Sequence, residues 1–276
     1  MRWRRHLRHF DRILLALLAL PLLAAAARAE PTGVMPSAEA EAETYARCMK
    51  LAKSDPGAAE TLAQAWHKKG GAHPADHCAA VALITLGKYR DGATRLDTLA
   101  KAMAKAPASL RADVLDQAAQ AWLLAGEPVR AHADAGAAVN LLPNNADLLI
   151  DRAEAAASAG YYDKAVADLD GVLKSDPHRV DALIYRASAY RALDRLDPAL
   201  ADIDAALKRS PNSAPALLER GDIRRLKGDL AGAHRDWVEV GKVAPGSQAD
   251  MAARANLEHL ALQQKAAPKP AAPQQP

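Results

Sequence analysis

A spacing of 34 residues constrains this chain more than any other feature of its sequence. The stretch 160–177 reads GYYDKAVADLDGVLKSDP and the stretch 194–211 reads DRLDPALADIDAALKRSP, so the small, apolar and proline positions recur while other residues change. The recurring alanines are Ala131, Ala165, Ala199 and Ala233, and the recurring prolines are Pro143, Pro177, Pro211 and Pro245. A fixed period of this length indicates stacked copies of one supersecondary unit.

Each unit has the pattern of two helices joined by a turn. In one unit Leu149, Leu169 and Leu173 supply apolar stripes at helical spacing. Gly160 can adopt a positive φ and end the first helix, and Pro177 disfavours helix in the residue before it, which stops the second. A single helix pair cannot cover its own apolar face, so neighbouring pairs must stack.

These columns resemble the tetratricopeptide repeat family, which has a small residue at the eighth place, alanine at the twentieth, a small residue at the twenty-seventh and proline at the thirty-second. Four units match in register without a gap: 112–145, 146–179, 180–213 and 214–247. The resemblance implies an all-α fold, a right-handed superhelical α-solenoid of stacked antiparallel helix hairpins.

The flanking segments depart from the strict repeat. Residues 43–111 read as atypical N-terminal helical hairpins, preceded by a linker over 30–42. Residues 248–264 keep the leucine column but lack a second helix, which predicts a C-terminal capping helix. Residues 265–276 form a proline-rich tail that we expect to be disordered, because this composition cannot pack a core.

The first 29 residues have the order of a secretory signal peptide. A basic segment precedes the apolar run 13–27, and a small-x-small site ends at Ala29. We therefore expect export to the periplasm and no membrane span after cleavage. The alternative is an uncleaved segment that tethers the protein to the inner membrane.

The basic character of the chain comes mostly from this segment. Residues 1–29 hold six arginines and one aspartate, so their removal changes the formal net charge from +3 to about −2. Binding to nucleic acid needs clustered positive charge on the protein. We therefore expect no nucleic-acid partner.

The two cysteines predict a disulfide. Cys48 and Cys78 would meet an oxidising compartment after export, where an even pair is normally bridged. The alternative is a pair of buried thiols. A zinc site is a competing interpretation, because histidines and a cysteine gather in the stretch that holds His67, His73, Asp76, His77 and Cys78. His73 precedes a proline, however, and is not expected to share a helical face with His77, while Cys78 has a better partner in Cys48, so we predict no metal and no cofactor.

The resemblance also implies where a partner would bind. In this family first-helix positions line a concave groove, and the matching residues here are Gln120, Leu123, Ile150, Glu154, Ile184, Ser188, Arg191, Leu218, Asp222 and Arg225. The carboxylate clamp of some family members needs Lys and Asn at places that hold neither here, which argues against a receptor for peptide C-termini. Ile150, Ile184 and Leu218 form either an apolar binding strip or contacts between helices.

Other recurring residues have structural interpretations. Three arginines recur at the seventh place (Arg152, Arg186 and Arg220) and four aspartates at the twenty-third (Asp134, Asp168, Asp202 and Asp236). Because positive and negative side chains both recur, we expect ion pairs within or between hairpins. A row of arginines that binds an acidic ligand is the alternative. The tryptophans Trp66, Trp122 and Trp237 fall at apolar helical positions and are expected in the core.

No Gly-rich phosphate loop, HExxH or GxSxG motif occurs in the sequence. The expected function is a non-catalytic protein–protein interaction scaffold, an adaptor that binds a peptide segment or helix of another envelope protein in the groove. The alternative is an envelope enzyme or small-ligand binder that uses a pocket near the N-terminal hairpins.

Overall fold

A computed structural model describes residues 38–266 of the chain, and it places no strand among them. The expected signal peptide, residues 30–37 of the expected linker and most of the proline-rich tail lie outside this range. The α-helices are α1 Ala38–Ser54, α2 Pro56–Trp66, α3 Ala72–Thr85, α4 Tyr89–Ala102, α5 Ala108–Leu124, α6 Pro128–Leu141, α7 Ala146–Ser158, α8 Tyr162–Ser175, α9 Val180–Ala192, α10 Leu196–Arg209, α11 Ala214–Leu226, α12 Leu230–Val243 and α13 Gln248–Ala266.

The predicted linker 30–42 is wrong in its last five residues, because α1 begins at Ala38. Residues 38–43 alternate alanine and glutamate, both good helix formers, and Glu39 and Glu41 lie in the first turn, where the helix dipole favours negative charge. At the other end, α13 continues two residues beyond the predicted end of the capping helix.

The helix ends follow the recurring turn and proline positions. Gly126, Gly160 and Gly228 have positive φ between paired helices, and Asp194 occupies the equivalent place with φ 58°. The second helices α6, α8, α10 and α12 each end two residues before a recurring proline. The local stop signals read from the sequence are therefore confirmed.

The contacts divide the chain into two compact units, described here as residues 38–161 and 162–266. In the first unit each of α1 to α6 packs on the next helix, and α1 also packs on α3 and α5 on α7. In the second unit each of α8 to α12 packs on the next helix, while α9 also contacts α11 and α11 contacts α13. In both units, therefore, alternate helices lie side by side.

The small-residue columns are buried between packed helices. Ala131, Ala165, Ala199 and Ala233 are all fully buried. Where the eighth-place column has glycine, at Gly221, a Cβ atom would lie 2.4 Å from Nε1 of Trp237. A larger core residue on α12 is thus accommodated by a smaller one on α11. Trp66 and Trp122 are also buried, as expected.

The predicted disulfide is confirmed. Cys48 on α1 and Cys78 on α3 are bridged, with their Cα atoms 6.1 Å apart, and both side chains are fully buried. They lie in a core cluster with Ala59, Ala63 and Ala79. Because this cluster holds mostly alanine, it buries little apolar area per residue and holds α1 and α3 together only weakly. The disulfide joins these two helices covalently.

Candidate functional site

The candidate site in the second unit is the face formed by α9, α11 and α13, called here the unit 2 face. Ile184, Ser188 and Arg191 are spaced by four and three residues on α9 and therefore share one side of that helix. Leu218, Asp222 and Arg225 repeat this spacing on α11.

Two polar contacts join the helices of the unit 2 face. Arg191 on α9 forms two hydrogen bonds with the Glu219 carboxylate on α11, at 2.5 and 3.3 Å. Asn256 on α13 donates to Oδ1 of Asp222 at 2.7 Å. Neither Glu219 nor Asn256 was among the predicted groove residues, yet they complete the row of polar side chains across three helices.

The electrostatics of the unit 2 face are set by these neighbours. Burial raises the pKa of Asp222 to about 6, and the nearby Glu219 adds to the rise while Arg191 and Arg225 oppose it. Burial works against the charge on Arg191, but the Glu219 carboxylate more than offsets it and raises the pKa of that guanidinium. Arg191 therefore keeps its positive charge, and its hydrogen bonds with Glu219 hold α9 to α11.

The predicted groove residues differ in their accessibility. Asp222, only 2% exposed, is buried together with Ser188, so neither offers much area to a partner. Ile184, Arg191, Leu218 and Arg225 remain partly exposed. The accessible part of the unit 2 face therefore combines two aliphatic and two cationic side chains.

In the first unit the corresponding face lies on α5 and α7, and we call it the unit 1 face. Gln120 and Leu123 on α5 are partly exposed, whereas Glu154 and Ile150 on α7 are buried, Ile150 to 2%. Ile150 thus makes intramolecular contacts, which was the second interpretation of the apolar strip. Ile184 and Leu218 remain available for a partner.

The unit 1 face carries an acidic group that the groove prediction omitted. Asp116 is 4% exposed, accepts a hydrogen bond from Gln120 on Oδ2 at 3.0 Å, and also hydrogen-bonds with the side chain of Asp151. Burial raises the pKa of Asp116 to about 7, and Asp113 and Glu154 add to the rise. The only sequence signal was that the fifth place of this unit has aspartate where other units have isoleucine or leucine.

A buried polar chain crosses the first three odd-numbered helices. The oxygen Oε1 of Gln117 accepts from Nε2 of His77 at 2.9 Å, and Nδ1 of His77 accepts the hydroxyl proton of Tyr45 at 2.9 Å. Burial lowers the pKa of His77 and raises that of Tyr45 to about 12, so both are neutral at pH 7.

The histidine and cysteine pattern that suggested zinc is accounted for by these contacts. Both ring nitrogens of His77 have partners, and the sulfur of Cys78 belongs to the disulfide. Within residues 38–266 no three His, Cys, Asp or Glu side chains are arranged to hold a metal ion.

The arginine and aspartate columns pair as the structural interpretation predicted. Arg186 binds both carboxylate oxygens of Asp202 on its own hairpin, at 2.8 and 2.7 Å, and reaches Asp170 on the preceding second helix at 2.7 Å. Arg220 repeats this arrangement with Asp236 and Asp204. Arg186 and Arg220 therefore each connect three helices through ion pairs.

The N-terminal hairpins carry a shallow depression of about 300 Å³ beside the turn between α3 and α4. Its lining includes Lys88, which pairs with Glu60, and Arg90, which pairs with Glu127. These two cationic side chains are therefore directed to carboxylates of neighbouring segments.

None of the helices described between residues 38 and 266 is long and apolar enough to cross a membrane.

The raised pKa of Asp116 predicts a specific pH dependence of stability. The folded carboxyl binds its proton more tightly than the unfolded one, so its contribution to stability falls as pH rises from about 4 to about 7. We expect Asp116→Asn to match the wild type near pH 4.5 and to exceed it by about 1–3 kcal/mol near pH 8 in denaturant unfolding. The exposed control Asp91→Asn should show no such divergence, and an Asp116→Asn difference that is constant with pH would contradict the assignment.

The comparisons with known proteins identify the fold. No protein-family model and no curated protein matches this sequence. A tetratricopeptide repeat protein from Parabacteroides merdae ATCC 43184 superimposes with a TM-score of 0.61 at 16% identity, over 82% of this chain and 95% of its own. TTC0263, a thermophilic TPR protein from Thermus thermophilus, matches with 0.55 at 19% identity, over 69% and 100%.

YrrB, described as a TPR protein with an unusual peptide-binding site, matches with a TM-score of 0.50 at 15% identity, over 71% of this chain and 96% of its own. At identities this low, structural likeness establishes the fold alone. The chain has the all-α, paired-helix fold of the tetratricopeptide repeat proteins.

Proposed function

We propose that the protein is a non-catalytic interaction scaffold of the cell envelope that binds an extended peptide or a helix of a partner protein. Binding takes place on the unit 1 and unit 2 faces, and no bond is made or broken. The periplasmic location is supported by the signal-peptide pattern of residues 1–29 and by the buried disulfide, a bond typical of oxidising compartments.

One observation carries this proposal: on the unit 2 face, partly exposed aliphatic and cationic side chains lie side by side on helices that are fixed in place. Ile184 and Leu218 offer apolar area and Arg225 offers charge, while the charge of Arg191 is paired with Glu219. Apolar anchors beside placed charges are the combination that binds peptides specifically.

The scaffold also keeps this face rigid. The Arg186 and Arg220 contacts join α9 and α11 to their neighbours, and the Arg191–Glu219 pair joins the two helices directly. A surface ordered before binding loses little conformational entropy when the partner arrives. Peptide binding is also compatible with the fold, since YrrB is described as having a peptide-binding site.

The test is capture of the partner in intact cells, by chemical crosslinking and mass spectrometry, followed by binding measurements with the purified proteins. Ile184→Asp and Leu218→Asp should each weaken binding by about tenfold or more, because each places a charge in an apolar contact. The matched control is Leu230→Asp, at an exposed position on α12 outside the unit 2 face. Loss of binding in the control alone, or in none of the three variants, would overturn the proposal.

The envelope location has its own measurement. Sequencing the N-terminus of the protein isolated from cell fractions should return Glu30 as the first residue in the periplasmic fraction. Recovery of the intact N-terminus from the membrane fraction would instead support the tether.

A further inference from the structure

One side of α13, called here the α13 face, is not covered by another helix of the described residues. Met251 and Leu262 are 59% and 58% exposed, and Ala255 and Glu258 between them are exposed as well. Their spacing of four, three and four residues places all of these side chains on one side of the helix. The opposite side, which includes the buried Leu260, is the one that packs on α11 and α12.

The same positions of the repeat pack against a second helix in the preceding hairpin. Met251 and Ala255 continue the fourth-place and eighth-place columns, which hold Leu217 and Gly221 in that hairpin. Leu217 is buried, and a Cβ atom on Gly221 would lie 2.4 Å from Nε1 of Trp237 on α12. A small residue at the eighth place therefore allows close approach of an antiparallel helix, and the α13 face keeps this feature in Ala255.

The segment that follows α13 is poorly suited to supply such a helix. Pro268, Pro270 and Pro273 all lie within seven residues of the end of α13. Proline lacks the backbone donor of a helix and its ring clashes with the preceding turn. A helix from another molecule therefore fits the α13 face better than this segment does.

We propose that the α13 face binds α13 of a second copy of this chain, as an antiparallel pair of helices. A two-fold axis between Asn256 and Leu257 places Met251 opposite Leu262 of the other copy, and symmetry repeats this apolar contact. Ala255 lies near the axis, where its small side chain lets the two backbones approach. This inference goes beyond the proposed function and does not depend on it.

Charges beside the α13 face match the same arrangement. Arg254 and Glu258 lie on one flank of the face, and in an antiparallel pair equal flanks meet. Arg254 then lies within about 1.5 Å, measured along the axis, of Glu258 of the other copy. Arg254 contacts Asp250 through Nε and Nη2, which leaves Nη1 for this second carboxylate. A parallel pair would instead place the two Glu258 carboxylates opposite each other.

The expected dimer is weak. A single pair of helices buries less area than a standard interface, about 1,200 Å² or less in total, so we expect dissociation in the micromolar range. The experiment is sedimentation equilibrium of the protein expressed from its complete sequence, at concentrations from about 1 to about 200 µM. A monomer–dimer equilibrium is the expected result.

Variants on the α13 face test which residues form the dimer. Met251→Asp and Leu262→Asp should each raise the Kd of the dimer by about tenfold or more, because each places a charge in an apolar contact. Glu258→Arg should raise it by about threefold, because it sets like charges beside each other. The matched control Leu230→Asp, at an exposed position on α12, should leave the Kd within about twofold.

Cysteine crosslinking tests the antiparallel arrangement separately. Cys48 and Cys78 are the two cysteines of the sequence and are bridged, so one added cysteine is the only free thiol. A mixture of Met251→Cys and Leu262→Cys proteins should crosslink on mild oxidation. Neither protein should crosslink alone, because its two thiols would lie about 16 Å apart along the axis, too far for a disulfide.

Three results would overturn the inference: a monomer at every concentration, a Kd that Met251→Asp and Leu262→Asp leave unchanged, or crosslinking of either cysteine variant alone in place of the mixture. A different protein bound at α13 would appear as the first of these results. The outcome is separable from that of the proposed function. If the chain is monomeric while capture of a partner still depends on Ile184 and Leu218, the scaffold proposal stands and this inference fails.

Discussion

Replacing Trp237 with alanine is expected to lower the free energy of unfolding by about 3–5 kcal/mol. The indole is 1% exposed and fills the space between α11 and α12 directly beside Gly221. Truncation leaves a cavity, because the residue that faces the indole on α11 is Gly221, which has no side chain to fill the space. Denaturant unfolding followed by circular dichroism measures the loss.

A double-mutant cycle tests the cause of this effect. Gly221→Ala alone should cost about 1–3 kcal/mol, because its Cβ would overlap the indole. Combined with Trp237→Leu, the alanine should be tolerated, since the preceding hairpin pairs Ala187 with Ile203 at the same two places. The double variant should therefore lose less than the sum of the single changes by about 0.5–3 kcal/mol. Strict additivity would show that glycine was not required by the tryptophan.

Replacing Cys48 and Cys78 together with serine is expected to lower stability by about 3–4 kcal/mol, as the chain-entropy model gives for a loop of this length. The bridge spans 30 residues and joins α1 to α3 in an alanine-rich cluster. The measurement is thermal unfolding of the wild type and the double variant, each with and without a reductant.

The reductant provides the control for the disulfide. It should shift the midpoint of the wild type toward that of the double variant and leave the double variant unchanged. Equal midpoints for all four samples would mean that the bridge does not stabilise the N-terminal helices.

The fold was predictable because it depends on periodic positions. Each alanine of the Ala131 column occupies the same environment in its own hairpin, so four weak local signals add up to a specific prediction. The pairing of Arg186 with Asp202 was predictable for the same reason, since both residues recur at a fixed separation. The partner on the preceding hairpin was predicted less well: it is Asp170, two residues beyond the aspartate of the column.

The candidate site was less predictable because it depends on what differs between units. Asp116 replaces an aliphatic residue of its column, so a comparison of repeats marks it as an exception without giving its surroundings. Glu219 and Asn256 lie outside the groove positions that the family resemblance supplied, and their roles depend on contacts between helices. Burial of Ile150 likewise depends on tertiary packing, which the fifth-place pattern does not specify.

The capping helix shows a further limit of column matching. Met251 continues the leucine column of the repeats, and the sequence gives no reason to separate it from Leu217. In the structure Leu217 is buried while Met251 is 59% exposed. No second helix follows α13 within the described residues, so a residue of the same column has no helix to cover it.

The most direct test of the central claim is site-specific photo-crosslinking in living cells. A photoreactive residue would replace Leu218 on the unit 2 face, Leu123 on the unit 1 face, or, as the control, the exposed Arg235 on α12. The scaffold proposal predicts that one partner protein is crosslinked from Leu218 and Leu123 and is not crosslinked from Arg235. Crosslinks that arise equally from Arg235, or from Arg235 alone, would contradict it.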